Sequence, residues 1–175
     1  MEKFSELISV RRSHRKFTEE GITEEEMHCI LRSGLMAPSS KGLHGYELIS
    51  VTDQKTIGHL SRVKDMGADF LAAAPVVIAV LGCEGESDAW IEDASVAATM
   101  MLLQAEDLGL GACWVQVRGR HDAEGRDAED NVRRLLSIPQ DRRVLCLIAL
   151  GHKGMERKPQ NEERLKWEKV HNEKW

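Results

Sequence analysis

The order of apolar and polar positions divides this chain into elements before any motif is read. VVIAVLG at 76–82, ACWVQV at 112–117 and RVLCLIALG at 143–151 are short, nearly unbroken apolar runs, the pattern of strands covered on both faces of a sheet. YELISV at 46–51 predicts a fourth strand. Elsewhere the apolar period lengthens to that of a helix. Phe4, Leu7, Ile8 and Arg11 fall at helical spacing and predict a short helix over 2–11. Thr23 followed by Glu26 is a capping box, and Met27, Ile30, Leu31, Gly34 and Leu35 then share one face of a second helix that Pro38 stops.

Asp53 is placed to cap a helix near TIGHLSRV, residues 62–74 are predicted helical as far as Pro75, and a polar loop over 118–126 leads to a helix through NVRRLLS. The strongest helical segment is SDAWIEDASVAATMMLLQAEDLGLG, with Ser87 or Asp88 as its cap and Gly109 and Gly111 at its end. At about 22 residues it would run roughly 33 Å and be apolar around most of its girth. Glu92, Asp93, Gln104, Glu106 and Asp107 interrupt it, which marks a central packed helix and not a membrane span. Helices and strands in this order predict layered packing of both types, with no internal repeat.

Beyond residue 152 the chain becomes charged, and its few apolar residues are Met155, Leu165, Trp167, Val170 and Trp175. Such a tail cannot build its own core. Because tryptophan rings gain little in water, residues 152–175 are expected to lie across another surface.

Composition limits the function classes. At 175 residues the chain fits one domain over 1–175, and a domain of this size buries about 70% of its unfolded surface. With 24 Lys+Arg against 29 Asp+Glu the net charge is -5, which does not give the field of a nucleic-acid binder. Cys29, Cys83, Cys113 and Cys146 are scattered without metal or redox spacing and read as small buried hydrophobes in a reducing compartment. The N-terminal MEKFSELISV lacks a secretory apolar core, and no long apolar stretch is present. A cytoplasmic protein is expected.

Against that acidic background RRSHRKF, residues 11–17, concentrates positive charge. If 11–15 run extended, Arg11, Ser13 and Arg15 share one side, and two guanidinium forks with a hydroxyl between them match a phosphate. A solvated turn between two helices is the competing reading. His14 and Lys16 would point to the other side, into water. Other chemistry is poorly represented. The seven histidines form no HExxH or i, i+4 pair, so no metal site is expected, and His28 reads as a surface residue. No GxSxG or P-loop is present, and GLGAC precedes a strand where a dinucleotide loop would follow one. Glu92 and Asp93 are explained by the positive end of their helix.

RRSHRKF, GLMAPSS, WIEDASVAATMMLLQAEDLGLGACWV, the strand ending in LIALGH and the closing VHNEKW together resemble the FMN-dependent nitroreductase family, in its order and over essentially the whole chain. The resemblance implies an α+β nitroreductase-type fold, with a central mixed or antiparallel sheet flanked by helices. It also implies a homodimer with FMN at the interface, the C-terminal tail reaching across it and packing on the partner subunit. The flavin phosphate contacts would fall on Arg11, Ser13 and Arg15, with Arg12 as a backbone or ribityl contact. Pro38, Ser39 and Ser40 would approach the ring from the partner subunit. Trp114, Val115 and Gln116 would lie along the ring, and a second basic contact would fall on Arg157 or on Lys153.

No catalytic side chain is expected, because the flavin carries the chemistry. The activity implied is ping-pong electron transfer from NADH or NADPH to a small-molecule acceptor such as a nitroaromatic or quinone. Reductive dehalogenation, flavin breakdown and non-catalytic flavin binding are the alternatives. The chain departs from the family where Asn and Gln-Pro-Trp are usual: Gly42, His44, Gly45 and Tyr46 stand there. Gly42 offers no side chain to the ring, so His44 is expected to stand in, with His44 and Tyr46 shaping the substrate pocket.

Overall fold

The computed structural model describes residues 4–175. Five helices and four strands alternate: α1 (Phe4–Val10), α2 (Glu24–Leu35), β1 (Tyr46–Val51), α3 (Gln54–Leu60), β2 (Val76–Gly82), α4 (Trp90–Asp107), β3 (Leu110–Gln116), α5 (Ala128–Leu136) and β4 (Arg143–His152). Short 3-10 turns lie at Ser40–Gly42, Asp69–Ala73, Glu162–Arg164 and Trp167–Lys169. The strands form one sheet in the order β1-β2-β4-β3. Every strand pair is antiparallel, and among the described residues the one parallel pairing is an isolated bridge between Ser13 and Ala112.

The two central strands show why their sequences lack polar positions. All seven residues of β2 and eight of the ten in β4 are buried, because helices cover both faces. Alternate residues divide between two cores. Ile78, Val80, Ile148 and Leu150 meet Ile30 of α2 and Ala94, Ala97 and Met101 of α4. Val77, Ala79, Leu147 and Ala149 meet Ile57, Leu60, Leu71 and Val132 on the other face. Where α2 crosses α4 there is no room for a side chain: a Cβ on Gly34 would lie 3.0 Å from Met101 and 3.2 Å from Leu48.

Several expectations are corrected. The helix expected over 62–74 is absent apart from the 3-10 turn Asp69–Ala73. Gly67 takes φ +75°, and the Asp65 amide donates to the His121 carbonyl at 3.0 Å, so the preceding backbone is held in turns. Helix α4 is 18 residues long, about 27 Å, and begins at Trp90. Neither Ser87 nor Asp88 caps it as expected: Ala89 stands at the N-cap without a side-chain bond, and the Ser87 hydroxyl donates to Asp93 Oδ2 at 2.9 Å while accepting from the Ala89 amide at 3.2 Å. Helix α5 starts earlier than NVRRLLS, at Ala128, where the Asp127 side chain caps it. The capping box of Thr23 and Glu26 is present in full. The first two residues of the helix expected over 2–11 lie outside the described residues.

Candidate functional site

Residues 11–15 leave α1 and run along the outer edge of β3, where the His14 amide donates to the Ala112 carbonyl at 2.9 Å. Side chains then alternate in their surroundings. Ser13, Arg11, Arg15 and Lys64 all lie close enough to the Cys113 thiol to act on it, while the thiol itself donates to the Trp114 carbonyl at 3.5 Å. Burial pushes that thiol up, while Arg15, the Ser13 hydroxyl, Lys64 and Arg11 pull it back. Arg15 also sits over the Phe70 ring at 5.8 Å. The expected trio is therefore brought together. Lys64 joins it, a residue the sequence did not single out because it comes from the turn region read as helix. Burial lowers the Lys64 ammonium and Arg120 lowers it further. Among the described residues Arg11, Arg15, Lys64 and Arg120 form no ion pair with a carboxylate. A cradle of cations plus a hydroxyl, lacking its own counter-ions, is chemically suited to a phosphate.

Of the two side chains expected to point into water, Lys16 is exposed but His14 is covered. His14 is 4% exposed, and it packs so tightly on Gly111 that a Cβ there would lie 2.9 Å from its own Cβ. Burial pushes its imidazole below the usual value, Lys153 and Arg157 push it further down, and Glu106 and a hydrogen bond to the Met155 backbone oppose them. Arg12, expected as a neighbouring backbone or ribityl contact, has its Nη1 turned to the tail, donating to the Lys158 carbonyl at 2.5 Å and the Pro159 carbonyl at 3.2 Å. Lys153 Nζ is 2.6 Å from Glu106 Oε1. Of the two candidates for a second phosphate contact, Arg157 is the exposed one without a carboxylate partner among the described residues.

On β3, Trp114 and Gln116 face alike and are joined, the indole Nε1 donating to Gln116 Oε1 at 2.9 Å. Their backbone groups point the same way as that of Ala112, toward the edge followed by residues 11–15. The Val115 side chain is 2% exposed and packs in the core beneath α5. Strand alternation likewise turns its N–H and C=O toward β4.

The loop at 38–44 is built by left-handed backbone at Lys41, Gly42 and His44 (φ 53°, 67° and 49°). Pro38 is exposed and Ser39 and Ser40 are half-buried. Ser39 Oγ accepts from the His44 amide at 3.0 Å. The Ser40 amide donates to Asp93 Oδ1 at 2.7 Å, so the buried Asp93 ties the loop to the start of α4, a role beyond the helix-end electrostatics expected for it. His44 is exposed, and its Nδ1 lies 3.3 Å from Tyr46 Oη. Tyr46 itself is 6% exposed and donates to the Gly34 carbonyl at 2.9 Å, so its ring belongs to the core and not to an open pocket. Burial pushes its phenol up, and Asp93 adds to this. No hydrogen bond or ion pair among the described residues links 38–44 to Arg11, Ser13 or Arg15. The basic cradle gathers around Cys113 and Phe70 on the α3–α5 face of the sheet, and the loop is fixed to α4 on the other.

The described residues contain no group of three His, Cys, Asp or Glu side chains able to hold a metal. No described helix is long and apolar enough to cross a membrane. A profile described as the nitroreductase family matches residues 8–66 and 57–152. This chain belongs to that family. Among nitroreductases of known structure it is similar to an FMN-dependent nitroreductase from Clostridium difficile R20291, with a TM-score of 0.94 and 38% identity over 97% of this chain and 98% of that one. A protein of Methanothermobacter thermautotrophicus named as an NADH dehydrogenase/NAD(P)H nitroreductase is 31% identical over 174 residues, 97% of this chain and 86% of its own. A relative of the same name from Archaeoglobus fulgidus is 29% identical over 180 residues, the whole of both chains. The nitroreductase fold expected from the motifs is thus the fold found, with the sheet wholly antiparallel.

Proposed function

We propose that this chain is a homodimeric, FMN-dependent oxidoreductase that passes electrons from NADH or NADPH to nitroaromatic or quinone acceptors in a ping-pong cycle. The observation that carries it is the cradle of Arg11, Ser13, Arg15 and Lys64 without carboxylate counter-charge, in a member of a family whose similar proteins are named for FMN and NAD(P)H. FMN, when bound, supplies the two-electron chemistry that no side chain of this chain offers.

The chain's own part is to bind, orient and shield. Arg11 and Arg15 would grip phosphate oxygens with paired N–H donors, Ser13 would fill a further acceptor, and Arg157 would close the cradle from the tail. The outward backbone groups of Trp114 and Gln116, with the bond between their side chains, would form a rigid shelf beside the ring. The 38–44 loop would complete the site from a second copy. Its attachment to α4, on the opposite face of its own sheet from the cradle, favours that arrangement over a site built in one chain. The tail favours it too: Trp167 is 69% exposed and Trp175 wholly so in the single chain, and burial of such rings on a partner stabilises an assembly. With Gly42 lacking a side chain and Tyr46 turned inward, His44 would be the loop's one polar ring at the entrance.

The test is the visible spectrum of the purified protein, followed by anaerobic titration with NADH and NADPH and then with a quinone or nitroaromatic. A yellow protein bleached by the donor and restored by the acceptor is expected. A colourless protein that fails to take up added FMN would overturn the proposal, and a protein that binds FMN without turnover would reduce it to flavin binding.

A further inference from the structure

Residues 9–18 and 152–160 lie side by side and run in opposite directions. The Thr18 amide donates to the His152 carbonyl at 3.1 Å, the Gly154 amide to the Lys16 carbonyl at 3.0 Å and the Gln160 amide to the Ser9 carbonyl at 2.8 Å. Phe17 and Lys153 form an antiparallel bridge, and Arg12 reaches the carbonyls of Lys158 and Pro159. Between the Gly154–Lys16 and Lys158–Arg12 pairings this register sets Arg157 across from Ser13. Its charge is felt at the neighbouring His14. The first stretch of the tail is therefore docked along the back of the cradle, with Arg12 as its clasp.

Charge makes this docking conditional. The two paired stretches carry Arg11, Arg12, Arg15, Lys16, Arg157 and Lys158 against the carboxylate of Glu156, and Lys153 is already paired with Glu106. An excess of like charge on adjacent stretches opposes their docking. Arg12 holds the tail through two neutral carbonyls, so its hydrogen bonds do not reduce that charge. A bound dianion would reduce it, and would then hold both sides of the seam at once.

We infer that Arg12 is a positioning residue that clasps the tail and so presents Arg157 to the phosphate held by Arg11, Ser13 and Arg15, making phosphate binding and tail docking mutually reinforcing. The inference rests on the flavin-phosphate reading given above. Linkage requires reciprocity: whatever factor the clasp adds to phosphate affinity, the phosphate adds to tail docking.

Hydrogen exchange across 155–175 in the full-length protein, with and without ligand, reads this directly. Exchange at the Gln160 amide should slow by about tenfold on adding FMN, the scale of one charge-assisted contact, and should not slow with riboflavin, which has no phosphate. Without any ligand, Arg12→Ala should speed exchange at Gln160; an unchanged rate would overturn the clasp. In FMN titrations Arg12→Ala and Arg157→Ala should each weaken binding by about tenfold, and the double variant should be no weaker than Arg157→Ala alone. Multiplying losses, or equal protection by riboflavin and FMN, would overturn the coupling. Failure of wild-type protein to bind any flavin would overturn the cofactor reading and the coupling together. It is told apart from failure of the clasp by the ligand-free Gln160 measurement.

Discussion

Glu106 and Lys153 meet at 2.6 Å, with side chains 6% and 23% exposed, and this contact joins the last turn of α4 to the point where β4 becomes the tail. It removes Lys153 from the pool of free cations near the cradle. Breaking a buried pair strands one charge, which costs about 3–5 kcal/mol. Glu106→Ala should therefore lower the urea unfolding free energy by an amount near that range. A loss no larger than that of an exposed ion pair, under about 1 kcal/mol, would show the pair to be well solvated.

Arg11→Ala and Arg15→Ala should each weaken FMN binding by about 1.5–3 kcal/mol, the scale of a charge-assisted hydrogen bond. Fluorescence titration against apo-protein measures it. Unchanged affinity in both variants would return residues 11–15 to a solvated turn.

Asp93 accepts from the Ser40 amide and the Ser87 hydroxyl while 4% exposed. Asp93→Ala should cost about 1–3 kcal/mol through the unsatisfied groups it leaves, and should speed amide exchange across 39–44. The loop would then lose the anchor that holds its left-handed residues. Exchange rates equal to wild type would show that the loop is held elsewhere.

His14 gives a pH prediction whose sign follows from its burial. Its folded value lies below the ordinary 6.5, so the unfolded chain binds a proton more readily. Stability from this group is present above about pH 6.5 and is lost as pH falls through the lowered folded value. Urea midpoints should drop between about pH 7.5 and pH 5, and His14→Gln should flatten that part of the dependence. An identical slope in the variant would assign the acid sensitivity to other groups.

The parts legible in the sequence were those written locally. Apolar runs located all four strands, and the Thr23–Glu26 box located α2, because a strand face or helix cap draws on residues close along the chain. Alternation in 11–15 separated Arg11, Ser13 and Arg15 from their neighbours for the same reason. What it could not supply was the identity of the surface opposite. His14 and Arg12 have ordinary polar side chains, and only partners distant in sequence, Gly111 for one and the Lys158 and Pro159 carbonyls for the other, make one buried and the other a clasp. Lys64 was hidden by a helical reading of 62–74 that a left-handed Gly67 and a bond to His121 overrule. Tyr46 looked like an entrance residue until its hydroxyl was found on the Gly34 carbonyl.

The strand order β1-β2-β4-β3 also bears on how the molecule is made. Strand β4 lies between β2 and β3 yet is the last of the four to leave the ribosome. Until residue 152 has emerged, β2 has a bare inner edge and β3 has no partner in the sheet. The sheet contacts of β4 with β2 and β3 therefore form late, and their large sequence separation favours slow closure. The nascent chain would expose VVIAVLG from its emergence until β4 arrives, which makes the interval between those two strands the stage at which chaperone protection matters most.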